Sequence, residues 1–186
     1  MKSINIFAEI MDHEFPEHND IKIQKTGFKV DGDVGIKVYC KLNQLKSVDY
    51  FHDCNKDGLV YIEFSDLFRQ SNQLKNEETK LKGSNLDKEH KRKLLTELHK
   101  KINSELQTKF KDSLHIMRST IETFTDIPDS FKENSGQYVI IVAPLNGESK
   151  VEMAKLMDQW KNNITSALPR NLFTRIKILP LENFIN

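Results

Sequence analysis

The stretch VDYFHDCNKDGLVYIEFSDL, residues 48–67, decides the fold because two strand-like runs in it flank one tight turn. The runs on either side are rich in Tyr, Phe, Val and Ile, which favour strands. Between them, residues 55–58 read Asn-Lys-Asp-Gly, a strong turn signal since Asp-Gly tolerates positive φ. We therefore predict a β-hairpin here, within an antiparallel meander over residues 28–67.

The turn also carries part of a calcium-loop pattern. Counting from Asp53, oxygen ligands fall at positions 1, 3 and 5 of such a loop, and Gly58 falls at position 6. The acid expected at position 12 is displaced, because Glu63 stands at position 11. The strand-like flanks also disagree with two flanking helices. The hairpin is thus favoured, and a calcium-binding module is kept as a third candidate.

The remaining segments extend the prediction in both directions. Residues 3–15 are predicted to form a short amphipathic helix, with Ile6, Phe7, Ile10 and Met11 on one side. The polar segment 71–85 lacks apolar periodicity and is predicted to be a mobile loop. Apolar residues then recur every three or four positions from Leu94 to Phe124, which predicts one long helix over 86–125.

The C-terminal third reads as strand, helix and strand. QYVIIVAP, residues 137–144, is apolar nearly throughout, as in a strand buried on both faces. A helical pattern follows over 149–168, and then the strand-like run FTRIKILPL at 173–181. Such a unit is normally a parallel crossover. We predict one α/β (α+β) domain over 1–186, with a central mixed sheet, an antiparallel meander, a long helix and a strand–helix–strand unit.

Composition narrows the classes of function. The 186 residues carry a formal net charge of +1, so any attraction to nucleic acid must come from a local patch. The two cysteines, Cys40 and Cys54, are expected to be reduced thiols of a cytoplasmic protein without a membrane partner. The sequence has no Gly-rich phosphate loop, no GxSxG elbow and no CxxC pair for zinc.

Two acids give the hairpin a chemical interpretation. Asp49 opens one strand and Glu63 lies in the next, so a hairpin can bring both carboxylates to one edge of a sheet. Paired carboxylates can hold a divalent cation that activates water and neutralises a phosphodiester. The alternative is that Glu63 shares a solvated strand face with Tyr61 and Ser65, and that Asp49 only begins a turn.

With these residues in place, the stretch VDYFHDCNKDGLVYIEFSDL resembles the core hairpin of the PD-(D/E)xK nuclease-like superfamily. The resemblance implies a restriction-endonuclease-like domain in which Asp49 and Glu63 match the motif acids. It also implies an acid from the first helix, for which Glu9 is the candidate and Glu14 the substitute. The motif lysine is replaced by Ser65, and in KFKDSL the long helix offers Lys109 or Lys111 instead.

The resemblance implies a metal-dependent nuclease that hydrolyses DNA or RNA phosphodiesters with Mg²⁺ or Mn²⁺. Asp49, Glu63 and Glu9 would be metal ligands, and Lys109 would assist catalysis. Because Ser65 removes the motif cation, we expect weak or absent activity unless Lys109 compensates. The rival hypothesis is a catalytically decayed binding protein that serves, with a protein partner, in a bacterial or phage defence or counter-defence complex.

Overall fold

The predicted hairpin lies at the centre of the molecule. The computed structural model describes residues 1–84, 87–133, 136–144 and 150–185. Its strands are β1 (Lys2–Ser3), β2 (Ala8–Ile10), β3 (Thr26–Lys29), β4 (Tyr50–Cys54), β5 (Gly58–Phe64), β6 (Phe124–Thr125), β7 (Gly136–Val142) and β8 (Phe173–Pro180). Its α-helices are α1 (Ile36–Tyr39), α2 (Leu67–Lys82), α3 (Lys88–Thr123), α4 (Lys150–Ala167) and α5 (Leu181–Ile185).

Six strands form one mixed sheet in the order β2-β3-β4-β5-β7-β8. The pairs from β2 to β5 are antiparallel, whereas β5 with β7 and β7 with β8 are parallel. Strands β1 and β6 form a separate parallel pair. The predicted meander, long helix and parallel strand–helix–strand unit are therefore confirmed, and the chain forms a single α/β domain.

Both faces of the sheet are covered, which explains why β7 is buried along its whole length. On one face, α3 and α4 supply buried side chains such as Phe110 and Trp160 to the larger apolar cluster. On the other, α5 and the segment after β2 supply Phe184, Met11 and Phe15 to a second cluster. Burial of this apolar area on two faces holds the central strands in a fixed register.

The turn between β4 and β5 is a hairpin turn and not a calcium loop. The ladder runs from Tyr50 opposite Ile62 to Cys54 opposite Gly58, so strands flank the turn on both sides. Gly58 has a φ of 69°, a conformation that favours glycine. The EF-hand alternative fails here because its two flanking helices are replaced by paired strands.

The segment predicted to be a loop at 71–85 is helical up to Lys82 in α2, and residue 85 lies outside the described residues. Asp66 caps this helix by accepting a hydrogen bond from the Arg69 amide at 3.0 Å. Its buried or half-buried leucines recur seven residues apart, at Leu67, Leu74 and Leu81. The stripe is narrow because α2 packs mainly along α3, and this explains why its periodicity is weak.

The predicted helix over 3–15 is also wrong. Residues Ile4–Phe7 form a single 3₁₀ turn capped by Ser3, and β2 follows it directly. The apolar spacing did not mark one buried helix face, because Phe7 and Met11 are buried whereas Ile6 and Ile10 are exposed. Pairing of β2 with β3 satisfies the backbone of this stretch instead.

Candidate active site

Asp49 and Glu63 lie side by side at the open end of the hairpin. The β4–β5 ladder ends at Tyr50 opposite Ile62, and the Asp49 amide donates to the Ile62 carbonyl at 3.0 Å, one residue out of step with the ladder. Asp49 stays close to Glu63 all the same, since the Asp49 carboxylate helps to raise the pKa of Glu63. The Phe64 amide donates to Asp49 Oδ2 at 2.6 Å, which fixes the orientation of that carboxylate.

Helix α3 holds the segment that leads into Asp49. The Val48 amide donates to Ser113 Oγ at 2.9 Å, and the Lys46 amide donates to Asp112 Oδ2 at 3.0 Å. Both acceptors belong to the KFKDSL run. The helix therefore positions the backbone beside the carboxylates and also crosses the sheet above them.

Glu63 is buried, with 2% of its surface exposed, so the solvated-face alternative for this acid is wrong. The reason is that the face shared by Tyr61 and Glu63 is covered by α3, where Phe110 meets Tyr61 edge to face at 5.1 Å. One carboxylate oxygen, Oε1, is 2.6 Å from Lys109 Nζ. The other, Oε2, is buried and has no hydrogen-bond partner among the described residues.

Lys109 is brought to Glu63 by its neighbours on α3. Leu106 and Phe110 are buried on either side of it along the helix, and Phe110 stacks on Tyr138 at 4.8 Å. The Tyr138 hydroxyl also donates to the Leu106 carbonyl at 3.1 Å, which ties the helix to β7. Lys111 is exposed, so only Lys109 of the two candidate lysines reaches the acids.

The three charges perturb one another strongly. Burial raises the pKa of Asp49 to about 6, although the nearby Lys109 ammonium opposes the shift. Burial, and then the Asp49 carboxylate, raises the pKa of Glu63 well above its usual range. For Lys109, burial disfavours the charge, but Glu63 and Asp49 outweigh it and raise the pKa of the amine. A buried acid, Glu63, and a half-buried one, Asp49, thus lie near one cation, a pattern common at functional sites.

Glu9, the candidate third acid, is not brought to this pair. It lies on β2 at the edge of the sheet and accepts hydrogen bonds from Lys29 at 3.0 Å and from the Tyr50 hydroxyl at 2.9 Å. Glu9 therefore serves an exposed ion pair at the rim of the site.

Glu14, the substitute acid, is the one that the fold places at the site. It lines a cavity of about 330 Å³ together with Asp49 and Lys109, and a second cavity of about 220 Å³ together with Glu63 and Lys109. Its charge contributes to the raised pKa of Asp49. The sequence signal for this placement is the alternation over residues 11–15, where Met11, His13 and Phe15 are buried and the two intervening acids are exposed.

Ser65 occupies the place of the motif lysine on the same strand face as Glu63. It is buried and lines the smaller cavity with Lys109, while its amide donates to the Ile141 carbonyl at 2.8 Å. The serine side chain is short, so it leaves room for Lys109 to approach from the helix. The cation is thus supplied from α3 in place of the strand.

The groups at the site suit a divalent cation. Asp49, Glu63 and Glu14 carry three negative charges when ionised, and Lys109 carries one positive charge, which leaves two negative charges. Carboxylate oxygens are the preferred ligands of Mg²⁺, and the partnerless Oε2 of Glu63 is one such oxygen. Within the described residues no three acids, histidines or cysteines form a closed metal cluster. Mg²⁺ fits this arrangement, because it commonly uses one or two carboxylates and keeps several waters.

Comparisons with known proteins add no family to this geometry. No family model matches the chain, and neither a curated protein nor a solved structure does. Among the helices in the described ranges, none is long and apolar enough to cross a bilayer. The chemistry of the site itself is therefore the basis for the function proposed below.

Proposed function

We propose that this chain is a metal-dependent phosphodiesterase that hydrolyses nucleic acid, with Asp49, Glu63 and Lys109 at its reacting centre. The observation that carries the proposal is the 2.6 Å contact between Lys109 Nζ and Glu63 Oε1, directly beside Asp49. Neither a purely structural sheet nor a solvated face requires a buried and a half-buried acid beside one cation. Buried ion pairs contribute little stability, so their presence favours a functional role.

Each residue has a distinct task in this proposal. Asp49 and Glu63 would hold Mg²⁺ or Mn²⁺, and the bound ion would activate a water and neutralise the phosphodiester. Lys109 donates a hydrogen bond to the attacking water or to a phosphate oxygen, which stabilises the charge that develops there. In the hydrolysis, the water oxygen bonds to phosphorus while one P–O ester bond breaks. Glu14 completes the acidic rim from the solvent side.

Ser65 at the position where a lysine was expected is a weaker argument against catalysis, because Lys109 lies near the acids. Weak activity was expected because the strand lacks its cation, but an ammonium lies at hydrogen-bonding distance from Glu63. Removing one such group commonly lowers a rate by about 10²–10³-fold. The decayed-site binding protein, with a partner in a defence or counter-defence complex, therefore becomes the alternative outcome of the test.

Cleavage assays test the proposal. Labelled single- and double-stranded DNA and RNA are incubated with Mg²⁺ and, separately, with Mn²⁺. We expect metal-dependent cleavage that is lost in Asp49→Asn and Glu63→Gln and falls by about 10²–10³-fold in Lys109→Met. The matched control is Lys111→Met, which removes an exposed lysine two residues away and should cleave at the wild-type rate.

Metal binding provides a second readout that does not depend on turnover. Because metal ligands must be deprotonated, calorimetry should show affinity for Mn²⁺ that weakens as the pH falls below about 6, through the raised pKa of Asp49. Cleavage that survives Glu63→Gln would exclude this site assignment. A wild-type protein that neither cleaves nor binds the ions would favour the decayed-site binding protein.

A further inference from the structure

A third cavity lies next to the proposed reacting centre. Its volume is about 500 Å³, within the range of small-molecule pockets. It is bounded by the segment around Phe15, by the first turns of α2, and by Ala143 and Pro144 after β7. Phe15 and Asp66 also line the 220 Å³ cavity that contains Glu63 and Lys109. The two cavities therefore adjoin at these two residues.

The side of α2 that lines the cavity is unusual for an exposed helix face because it is rich in amide side chains. Arg69, Asn72, Gln73 and Asn76 follow the spacing of residues that share one side of a helix, and all four line the cavity. The exposed residues of the second half of this helix are mainly charged, among them Lys75, Glu77, Lys80 and Lys82. The wall of the cavity thus offers neutral amides with both donors and acceptors, where an ordinary solvated face would offer charges.

These amides are available for a ligand. Asn72, Gln73 and Asn76 are exposed, and within the described residues their side chains make no hydrogen bonds. Two aromatic rings complete the wall and are fixed by packing. The ring centroid of Phe68 lies 5.4 Å from that of Trp160, and the ring centroid of Phe15 lies 6.2 Å from that of Phe64. Both rings are therefore held by the core.

From these features we infer that the cavity accepts an unpaired nucleobase next to the phosphate that is cleaved. Asn and Gln side chains pair with base edges through one donor and one acceptor. Unstacked bases bind on aromatic rings and on planar Arg side chains. The acids Asp66 and Glu17 line the cavity together with Arg69 and His18, so its lining has no excess of positive charge and suits a neutral base better than a phosphate. The inference rests on the proposed function for the position of the phosphate.

The inference names the substrate class more narrowly than nucleic acid. The edges and faces of a base in a duplex are paired and stacked, so a concave cavity can take only a base that is single-stranded or flipped out. Single-stranded DNA or RNA should therefore bind better than the matching duplex. Arg69, at the edge of the amide face, is placed to contact the backbone or to stack on the base.

The test measures binding by fluorescence anisotropy, with Ca²⁺ in place of Mg²⁺ to prevent cleavage. The probes are short labelled single strands, the matching duplex, and single strands in which one base at a time is replaced by an abasic linker. We expect Asn72→Ala, Gln73→Ala and Asn76→Ala together to weaken single-strand binding by about tenfold or more. When the abasic position falls in the cavity, the wild type should bind that strand no more tightly than the triple variant does.

Matched controls are Gln159→Ala and Asn162→Ala, which remove exposed amides from α4 outside this cavity and should leave binding unchanged. Equal binding by the triple variant and the wild type, or tighter binding of duplex than of single strands, would overturn the inference. Absence of any single-strand binding would overturn it as well. If the wild type cleaves nucleic acid and the triple variant binds it equally well, the inference fails but the proposed function stands. If binding depends on the amides but no cleavage occurs, the cavity is a binding site and the proposed function fails.

Discussion

The two ends of the β4–β5 hairpin carry acids in opposite environments. At the turn, Asp57 is exposed, and hydrogen bonding by Gln137 together with the nearby Lys177 lowers its pKa. At the open end, burial raises the pKa of Asp49 to about 6 and that of Glu63 well above its usual value. The difference arises because α3 covers only the open end. The acid at the turn thus forms an exposed contact with a lowered pKa, whereas the acids at the open end lie beside Lys109 and have raised pKa values.

Such a contrast separates structural acids from functional ones. An exposed aspartate that gains a partner lowers its pKa and adds a little stability, as Asp57 does with its neighbours. A buried acid with a raised pKa costs stability when it ionises, and such acids are common at functional sites. The four predictions below test this contrast in stability, without requiring the substrate.

The largest effect is expected from Lys109→Met. The variant leaves Glu63 buried without its cation, so we expect a loss of about 3–5 kcal/mol in the free energy of unfolding near pH 8. The loss should shrink in acid, because Glu63 has a raised pKa and becomes neutral there. Urea unfolding at several pH values measures this, with Lys111→Met as the control. A pH-independent loss would mean that packing of the lysine stem dominates.

A smaller effect of opposite sign is expected from Asp49→Asn. Because its pKa is about 6 in the folded protein and 3.8 without perturbation, the native state binds more protons between these values. Asp49 therefore lowers stability as the pH rises from about 4 to 6, and asparagine escapes this cost. We expect the variant to gain about 2 kcal/mol near pH 8 and nothing near pH 3.

The comparison between the two ends of the hairpin also requires an aspartate-to-asparagine substitution at the turn. Asp57 has a lowered pKa, so its contribution to stability is present above about pH 4 and is lost in acid. Asp57→Asn should therefore be slightly destabilising near pH 8, within about 0.5 kcal/mol since the residue is exposed. Equal and same-signed changes for Asp49→Asn and Asp57→Asn would remove the distinction between the two ends of the hairpin.

An effect smaller than that of Asp49→Asn is expected from Gly58→Ala at the turn. Its φ of 69° strains an alanine, while the added Cβ would meet only Glu133 Oε2 at an ordinary 3.6 Å. We expect a loss of about 1 kcal/mol by thermal or urea unfolding, with unchanged metal affinity. Gly83→Ala is the control, because its φ of −79° suits any residue and its loss should be negligible. Weaker metal binding in Gly58→Ala would connect the turn to the reacting centre.

The sequence predicted the strands and the long helix well, for a physical reason. Strand β7 and helix α3 each bury apolar side chains in a regular period, and the Asp-Gly turn requires a specific backbone conformation. Helix α2 was not predicted because the side that packs on α3 carries leucines only every seven residues, too few to give a clear helical period. The opening segment was misread because four apolar residues near helical spacing occupy an exposed 3₁₀ turn and an edge strand.

The site was predictable only in part. The strand order and the turn position were enough to bring Asp49 and Glu63 to the same end of the hairpin. Which lysine reaches them depends on the rotation of α3 over the sheet, and that is set by Leu106 and Phe110 against β7. The choice of Glu14 over Glu9 depends on how the chain crosses the open end after β2, a tertiary feature with only a weak local signal. The amide-lined cavity required α2 to be a helix, so it was not foreseen.

The contact between Lys109 and Glu63 spans 46 residues of sequence, and this separation orders events during synthesis. At about 5–20 residues per second, the hairpin leaves the ribosome roughly 2–10 s before the lysine that neutralises its acid. Phe110, which is buried on this face of the sheet, is the residue next to Lys109. The side chain that covers the acids and the ammonium that pairs with Glu63 therefore leave the ribosome together.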